Sequence, residues 1–257
     1  TVKLFVQDSI KDNSLSDAYR YLIVPDLHGE VSVLNSLVDQ YGDDPEMKFI
    51  FLGDIVDRGE SSFETFRLVH RLIKSGKGHG VVSNHDNKAY RWFGKWLKDG
   101  DHKYKTETFD TYGMKVAYGL GKTLTEFHSL EPNHRKTYAE DFVEYYENLN
   151  PYLRLELPDA VHFFSHAGIT RDVLKGMRVM RKDMAHLLYE TLKEEHVYED
   201  NHLNIDDNVV IHLGHDTYME APLIVFQDDT TKIWKHDFGL GKIDLHLPLP
   251  DHRFEIV

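Results

Sequence analysis

KFIFLGDIVDRG, residues 48–59, opens as an apolar run and stops abruptly at Gly53, Asp54, Asp57, Arg58 and Gly59. Aromatic and β-branched residues favour a strand, and the sudden change to acidic residues and glycine marks its end in a polar turn. The same pattern recurs along the chain. YLIV (21–24) leads into Asp26, His28 and Gly29, and GVV (80–82) into Asn84, His85 and Asp86. VHFF (161–164) leads into His166 and Gly168, and VVIHL (209–213) into Gly214, His215 and Asp216.

Between the first three runs lie EVSVLNSLVDQY and SSFETFRLVHRLIKS, whose apolar residues recur at helical spacing. Strand, polar turn, helix and strand together predict repeated βαβ units, and hence an α/β fold with parallel pairing. In such sheets ligands gather beyond the carboxyl ends of the strands, where every polar cluster falls. Five clusters from distant parts of the chain are therefore expected at one edge. Residues 94 to about 158 are polar and rich in Tyr, Lys and Glu, with helical patches such as RKTYAEDFVEYYENL, and read as a helical cap inserted over that edge. LIVFQ (223–227), a turn at 228–230 and KIWKHD (232–237) read as a hairpin. With no repeat and no Pro- or Gly-rich linker, 1–257 is expected to be one domain.

Composition narrows the chemistry. The 257 residues include no Cys, so disulfides, thiolate metal sites and a cysteine nucleophile are excluded. Any metal ligands are nitrogen or oxygen. A net charge of -13 argues against broad electrostatic binding to nucleic acid, though not against a small basic site. No apolar run approaches the ~20 residues of a membrane span, and the first residues lack a signal-like pattern, so a cytoplasmic location is expected.

Several Asp and His residues at one sheet edge are costly to desolvate unless a cation compensates them. Asp26 and His28 alternate onto one side of an extended segment and are expected to share an ion. Asp54 can bridge two ions with its two oxygens, while Asn84, His166 and His215 would complete a second site. Two ions ~3.5–4 Å apart suit phosphoester hydrolysis. His85, next to Asn84, is placed to protonate a leaving group, with Asp57 holding its other nitrogen, and Arg58 offers a planar fork for phosphate. Taken singly, Asp26 and His215 read equally as turn residues, Asp57 and Arg58 as a surface ion pair, and Asn84 as a helix cap. The ordered set favours the metal site.

These motifs resemble the metallophosphoesterases of the phosphoprotein phosphatase type. Asp26-Leu27-His28-Gly29 resembles DxHG, and GDIVDRG matches GDxVDRG without gaps. Asn84-His85-Asp86, His166-Ala167-Gly168 and Gly214-His215 resemble NH[DE], HAG and GH. Within that group, NHDNKAYRWFGKWLK (84–98) and YGLGKTLTEF (118–127) are similar to segments of the phosphatase module of bacterial polynucleotide kinase-phosphatases. The resemblance implies a β-sandwich flanked by helices, two divalent ions (Mn²⁺ first, with Fe, Zn²⁺ or Ni²⁺ as alternatives) and a supporting role for Asp237. It also implies removal of 2' or 3' phosphates, including cyclic ones, from RNA or nucleotide ends by attack of a metal-bound hydroxide. Ser83 departs from the glycine usual before NH[DE].

For the substrate, Lys88, Arg91, Lys95 and Lys98 form a basic stripe on one helix, a candidate path for a nucleic-acid backbone that reads equally as a solvated face. Tyr145, Tyr146 and Tyr152 are candidate base-stacking residues or plain packing residues. Arg171, Arg178 and Arg181 are candidates for a second phosphate contact. Three other functions stay open: a serine/threonine protein phosphatase, a dinucleoside polyphosphate hydrolase, and a metal-binding scaffold without catalysis. Oligomeric state and the native metal are not readable from these residues.

Overall fold

In the computed structural model, the described residues are 13–100, 119–175, 179, 181–189, 208–215, 223–227, 231–235 and 254–256. The first half of the chain builds a wholly parallel sheet: β1 (Arg20–Val24), α1 (Val31–Tyr41), β2 (Met47–Phe51), α2 (Ser62–Lys74) and β3 (Gly78–Gly80), joined by β9 (Phe254–Ile256) in the order β3-β2-β1-β9. A second sheet takes β4 (Leu153–Glu156), β5 (Val161–Ser165), β6 (Val209–Leu213), β7 (Leu223–Gln227) and β8 (Thr231–Lys235) in the order β4-β5-β6-β8-β7. Its centre, β5 to β6 to β8, is parallel, while β4 and β7 pair antiparallel at its edges.

Side chains alternate across each strand, and here both faces are covered. From β1, Tyr21 and Ile23 meet Ile50 and Leu52 and, across the gap, Leu153, Leu155 and Phe164 of the second sheet. The two sheets therefore pack face to face. Leu22, Val24, Phe49 and Phe51 point the other way, into a helical layer of α1, α2, α3 (Asn84–Asp99), α4 (Leu120–Ser129) and α5 (Pro132–Asn148). The outer face of the second sheet packs Phe163, Val209 and Ile211 against α6 (Arg171–Leu174) and α7 (Arg181–Tyr189). The α/β sandwich is thus the one the motifs imply.

Among its described residues, the stretch 94–158 holds the end of α3, then α4 and α5, and it closes with a strand, β4, because Leu153 and Leu155 alternate inward between the sheets. Trp92, Phe93 and Trp96 of α3, Phe127 of α4 and Phe142 of α5 share the core that covers the first sheet. These helices therefore extend the helical layer.

Tyr145 and Tyr146 are buried in that same core and Tyr152 in the core of the second sheet, so they pack and are not available to bases. No helix among the described residues is long and apolar enough to cross a membrane.

Candidate metal centre

The loops after β1, β2 and β3 and those after β5 and β6 meet at one edge. The backbone fixes them tightly: His28 N–H donates to Asp54 O at 2.7 Å, Gly29 N–H to Ile55 O at 2.9 Å, and Gly214 N–H to His166 O at 2.8 Å. Among the described residues, the non-glycine residues with left-handed φ are His28, Asp54, Asp57, Arg58 and His215. All five come from the motifs. Backbone in this region costs roughly 1–3 kcal/mol per residue and persists where the surroundings over-determine it, typically at functional sites.

Asp54 lies at the centre. Its Oδ2 is 3.7 Å from His28 Nε2 and 3.9 Å from His85 Nε2, while its Oδ1 is 3.5 Å from His166 Nε2. Two groups of potential ligands share this carboxylate: His28, Asp54 and His85, and Asp54, His166 and His215. Asn84 Oδ1 lies 2.9 Å from His166 Nε2, and His215 Nδ1 is 3.0 Å from the same nitrogen. Burial alone would raise the Asp54 carboxyl, but His166, His85 and His28 outweigh it and hold it below the ordinary carboxylate range. His28 is pushed below its ordinary value by burial.

The tautomers fit a cation. His28 Nδ1 faces Val56 O at 3.1 Å and His166 Nδ1 faces Leu52 O at 2.9 Å. Carbonyls only accept, so each Nδ1 donates, and in the neutral ring each Nε2 turns a lone pair toward Asp54. His166 Nε2 then meets the Asn84 carbonyl oxygen with a lone pair on each side. Such convergence of acceptors is favourable around a positive ion and unfavourable without one. Asp26 is buried; its Oδ1 accepts from His215 N–H at 3.1 Å and lies 3.8 Å from His166 Nδ1.

His85 Nδ1 meets Asp57 Oδ2 at 2.7 Å, and its Nε2 lies 3.3 Å from the Arg58 guanidinium. Burial would lower the His85 imidazole, but the bond to Asp57 and the charges of Asp54 and Asp57 overcome it and hold the ring above its ordinary value. Lys88, one turn along α3, is half-buried and feels the charges of Asp57, Asp54 and Arg58, with burial lowering its ammonium. Arg91 is exposed on the next turn. Asp237 and Arg178, and the side chains of Arg171 and Arg181, lie outside the described residues.

Several participants carry no assigned role in the sequence reading. Ser83 is extended and needs no glycine; its hydroxyl accepts from Asp54 N–H at 2.8 Å. Asp86 is fully buried and takes Ile55 N–H at 3.1 Å, with burial and the nearby Asp54 raising its carboxyl to about 8. Thr123 donates to Asp57 Oδ1 at 2.6 Å. Tyr189, at the end of α7, is 54% exposed and lies within electrostatic reach of Arg91 and Asp54. Of these, Ser83 and Asp86 flank or close the NH[DE] motif and Thr123 lies in the YGLGKTLTEF segment, but neither signal assigns these residues a role.

The calcineurin-like phosphoesterase pattern matches residues 19–243. A protein of Oceanobacillus iheyensis named bis(5'-nucleosyl)-tetraphosphatase PrpE (asymmetrical) is 28% identical over 163 residues, covering 59% of this chain and 57% of that protein. A protein of the same name from Halalkalibacterium halodurans is 30% identical over 161 residues, covering 58% and 57%. The chain thus aligns with less than two thirds of either relative's length. Among solved structures, a hypothetical protein from Pyrococcus horikoshii OT3 shares the fold with a TM-score of 0.51 at 12% identity, over 85% of this chain and 75% of that one.

Proposed function

The chain belongs to the calcineurin-like phosphoesterase family, and on that premise we propose that it is a two-metal phosphohydrolase whose substrate is a nucleotide phosphate. The observation that carries this reading is Asp54, one buried carboxylate facing His28 and His85 on one side and His166 and His215 on the other. Asp54 would bridge the ions, with Asp26 and His28 on the first and Asn84, His166 and His215 on the second. Mixed nitrogen and oxygen donors suit Mn²⁺, Fe, Zn²⁺ or Ni²⁺. When bound, the ions supply a water of lowered pKa and neutralise phosphoryl charge.

The chain's own groups do the rest. Arg58 binds two phosphate oxygens through its planar fork. A phosphate between Arg58 and His85 draws the guanidinium away from Nε2. That nitrogen, protonated while Nδ1–H stays on Asp57, then gives its proton to the departing oxygen. Lys88 adds positive charge beside the reacting phosphate, and the exposed ring of Tyr189 offers a stacking face for a base.

Dinucleoside polyphosphates come first as substrate, supported by the names of the relatives. RNA 2'/3'-phosphate or 2',3'-cyclic phosphate ends come second, supported by the similarity of 84–98 and 118–127 to the repair phosphatases. The test is turnover with Mn²⁺, and with chelator, of a dinucleoside tetraphosphate, an RNA 3'-phosphate, a 2',3'-cyclic phosphate and a phosphoserine peptide. Metal-dependent hydrolysis of the tetraphosphate above the others supports the reading. Faster hydrolysis of the phosphopeptide than of any nucleotide overturns it.

A further inference from the structure

Asp57 is fully buried, and α4 holds it from a distance of sixty-six residues in the sequence. Thr123 Oγ1 donates to Asp57 Oδ1 at 2.6 Å, accepts from Asp57 N–H at 3.1 Å and meets Ser62 Oγ at 2.9 Å. Ser62 Oγ also accepts from Asp57 N–H, at 2.9 Å. A hydroxyl has one proton to give and two lone pairs, so all three are used here, two of the contacts on the backbone and side chain of one residue. With Oδ1 and N–H both fixed, Oδ2 is left aimed at His85 Nδ1, 2.7 Å away.

The remainder of α4 fixes the register of this contact. Glu126 accepts from Ser62 N–H at 3.2 Å and Phe63 N–H at 2.9 Å, satisfying the open amides at the start of α2. Lys122 Nζ bonds Gly59 O. At Gly119, φ is +103°, and a Cβ there would stand 2.7 Å from Arg58 Cγ, so the backbone itself lies against the arginine. Four positions of α4 and its leading turn thus close on the loop from Asp57 to Phe63.

We propose that Thr123 is a positioning residue: its hydroxyl holds the Asp57 carboxylate so that His85 keeps Nδ1–H on Asp57 and presents Nε2 to the leaving group. The proposal rests on the reading of His85 as proton donor, and α4 becomes the element through which the helical layer acts on the chemistry. Without the hydroxyl, Oδ1 loses its buried donor, and the carboxylate is free to rotate away from the imidazole.

The test uses the Mn²⁺-loaded full chain with Thr123→Val, which removes the hydroxyl at nearly constant shape, and Thr123→Ser, which restores it. Substrates are phosphate esters of graded leaving group, from p-nitrophenyl through phenyl to alkyl. Thr123→Val is expected to lower kcat on the alkyl ester roughly ten- to a hundredfold, as for other hydrogen-bonded groups that orient a reacting side chain. KM stays unchanged, the p-nitrophenyl ester is affected far less because its leaving group needs no proton, and Thr123→Ser recovers most of the loss. Independently of activity, and with diamagnetic Zn²⁺ in place of Mn²⁺, the downfield NMR signal of the His85 Nδ1 proton should be present in wild type and Thr123→Ser and shifted or lost in Thr123→Val. A chain that turns over none of these esters while its proton signal still follows Thr123 refutes the phosphohydrolase reading and leaves the positioning intact. Equal losses on all esters, no rescue by Ser, or an unchanged proton signal in Thr123→Val overturns the proposal. If Thr123→Val unfolds, Thr123→Ala carries the same comparison under the same criteria.

Discussion

The two sides of Asp54 are built in different ways. His28, Asp54 and His85 follow successive strands of a single sheet, His85 in the first turn of α3, all within residues 28 to 85. They are tied together by backbone bonds and backed by the Asp57–Thr123 pair. His166 and His215 come from the second sheet, which Phe164, Leu153 and Leu155 dock onto Ile23, Ile50 and Leu52, and across the junction His166 Nδ1 bonds to Leu52 O and His215 N–H to Asp26 Oδ1. One half of the centre is therefore local and stiff, while the other depends on a core between two sheets. Chemistry and packing can be disturbed separately.

Asp54→Asn should have the largest effect, since it removes the charge both halves share. Bound metal measured by elemental analysis is expected to fall for both ions, and turnover to fall beyond about 10⁴-fold. Retention of a full pair of ions would show that the two halves do not depend on one carboxylate. His85→Ala acts on the stiff half alone. It should lower kcat by about 10²–10⁴ with metal content intact if His85 is the proton donor. Loss of one ion in this variant would reassign His85 as a ligand.

Phe164→Ala probes the dependent half. Removing this fully buried ring should cost about 3–5 kcal/mol in denaturant unfolding. The second ion should also bind more weakly than the first. Equal weakening of both ions would erase the distinction between the halves. Smaller again is Lys88→Ala, expected to raise KM for a dinucleoside tetraphosphate about tenfold with kcat nearly unchanged, the mark of lost ground-state binding.

The same contrast explains what the sequence could tell. β6 and β7 fall where their apolar runs lie, and β1, β2 and β5 within a residue of them; the runs of β1, β2, β5 and β6 are largely buried and lead into the loops of the centre. β3 is read at 80–82 but lies at Gly78–Gly80, since pairing with β2 overrides the weak strand preference of glycine. β4 was hidden in a polar stretch, its alternating Leu153 and Leu155 too short a signal to stand against helical surroundings. The motif residues converge, but which atom faces which does not follow from spacing: His28 and His215 take left-handed backbone that strand alternation does not anticipate. Thr123, Ser83 and Glu126 act through tertiary contacts that no local pattern encodes.

The smallest effect tests the first sheet away from its loops. His79 on β3 is held down to about 4, by burial first and by Lys48 second. The unfolded chain takes up this proton near pH 6.5, whereas the folded chain takes it up only near 4, so between those values the unfolded state binds more protons. Stability from this group is complete above about pH 6.5 and is lost as pH falls toward 4, with a slope of at most about 1.4 kcal/mol per pH unit, less where water reaches the ring. His79→Gln should flatten the fall in unfolding free energy between pH 6.5 and 4 while leaving metal binding at neutral pH unchanged. The ligand loops would then be insensitive to a charge on the strand beneath them, as expected if the stiff half of the centre is fixed by its own backbone bonds. A variant that instead lost metal at neutral pH would show that β3 and the loops move together, and the stiffness assigned to that half would have to extend through the whole sheet.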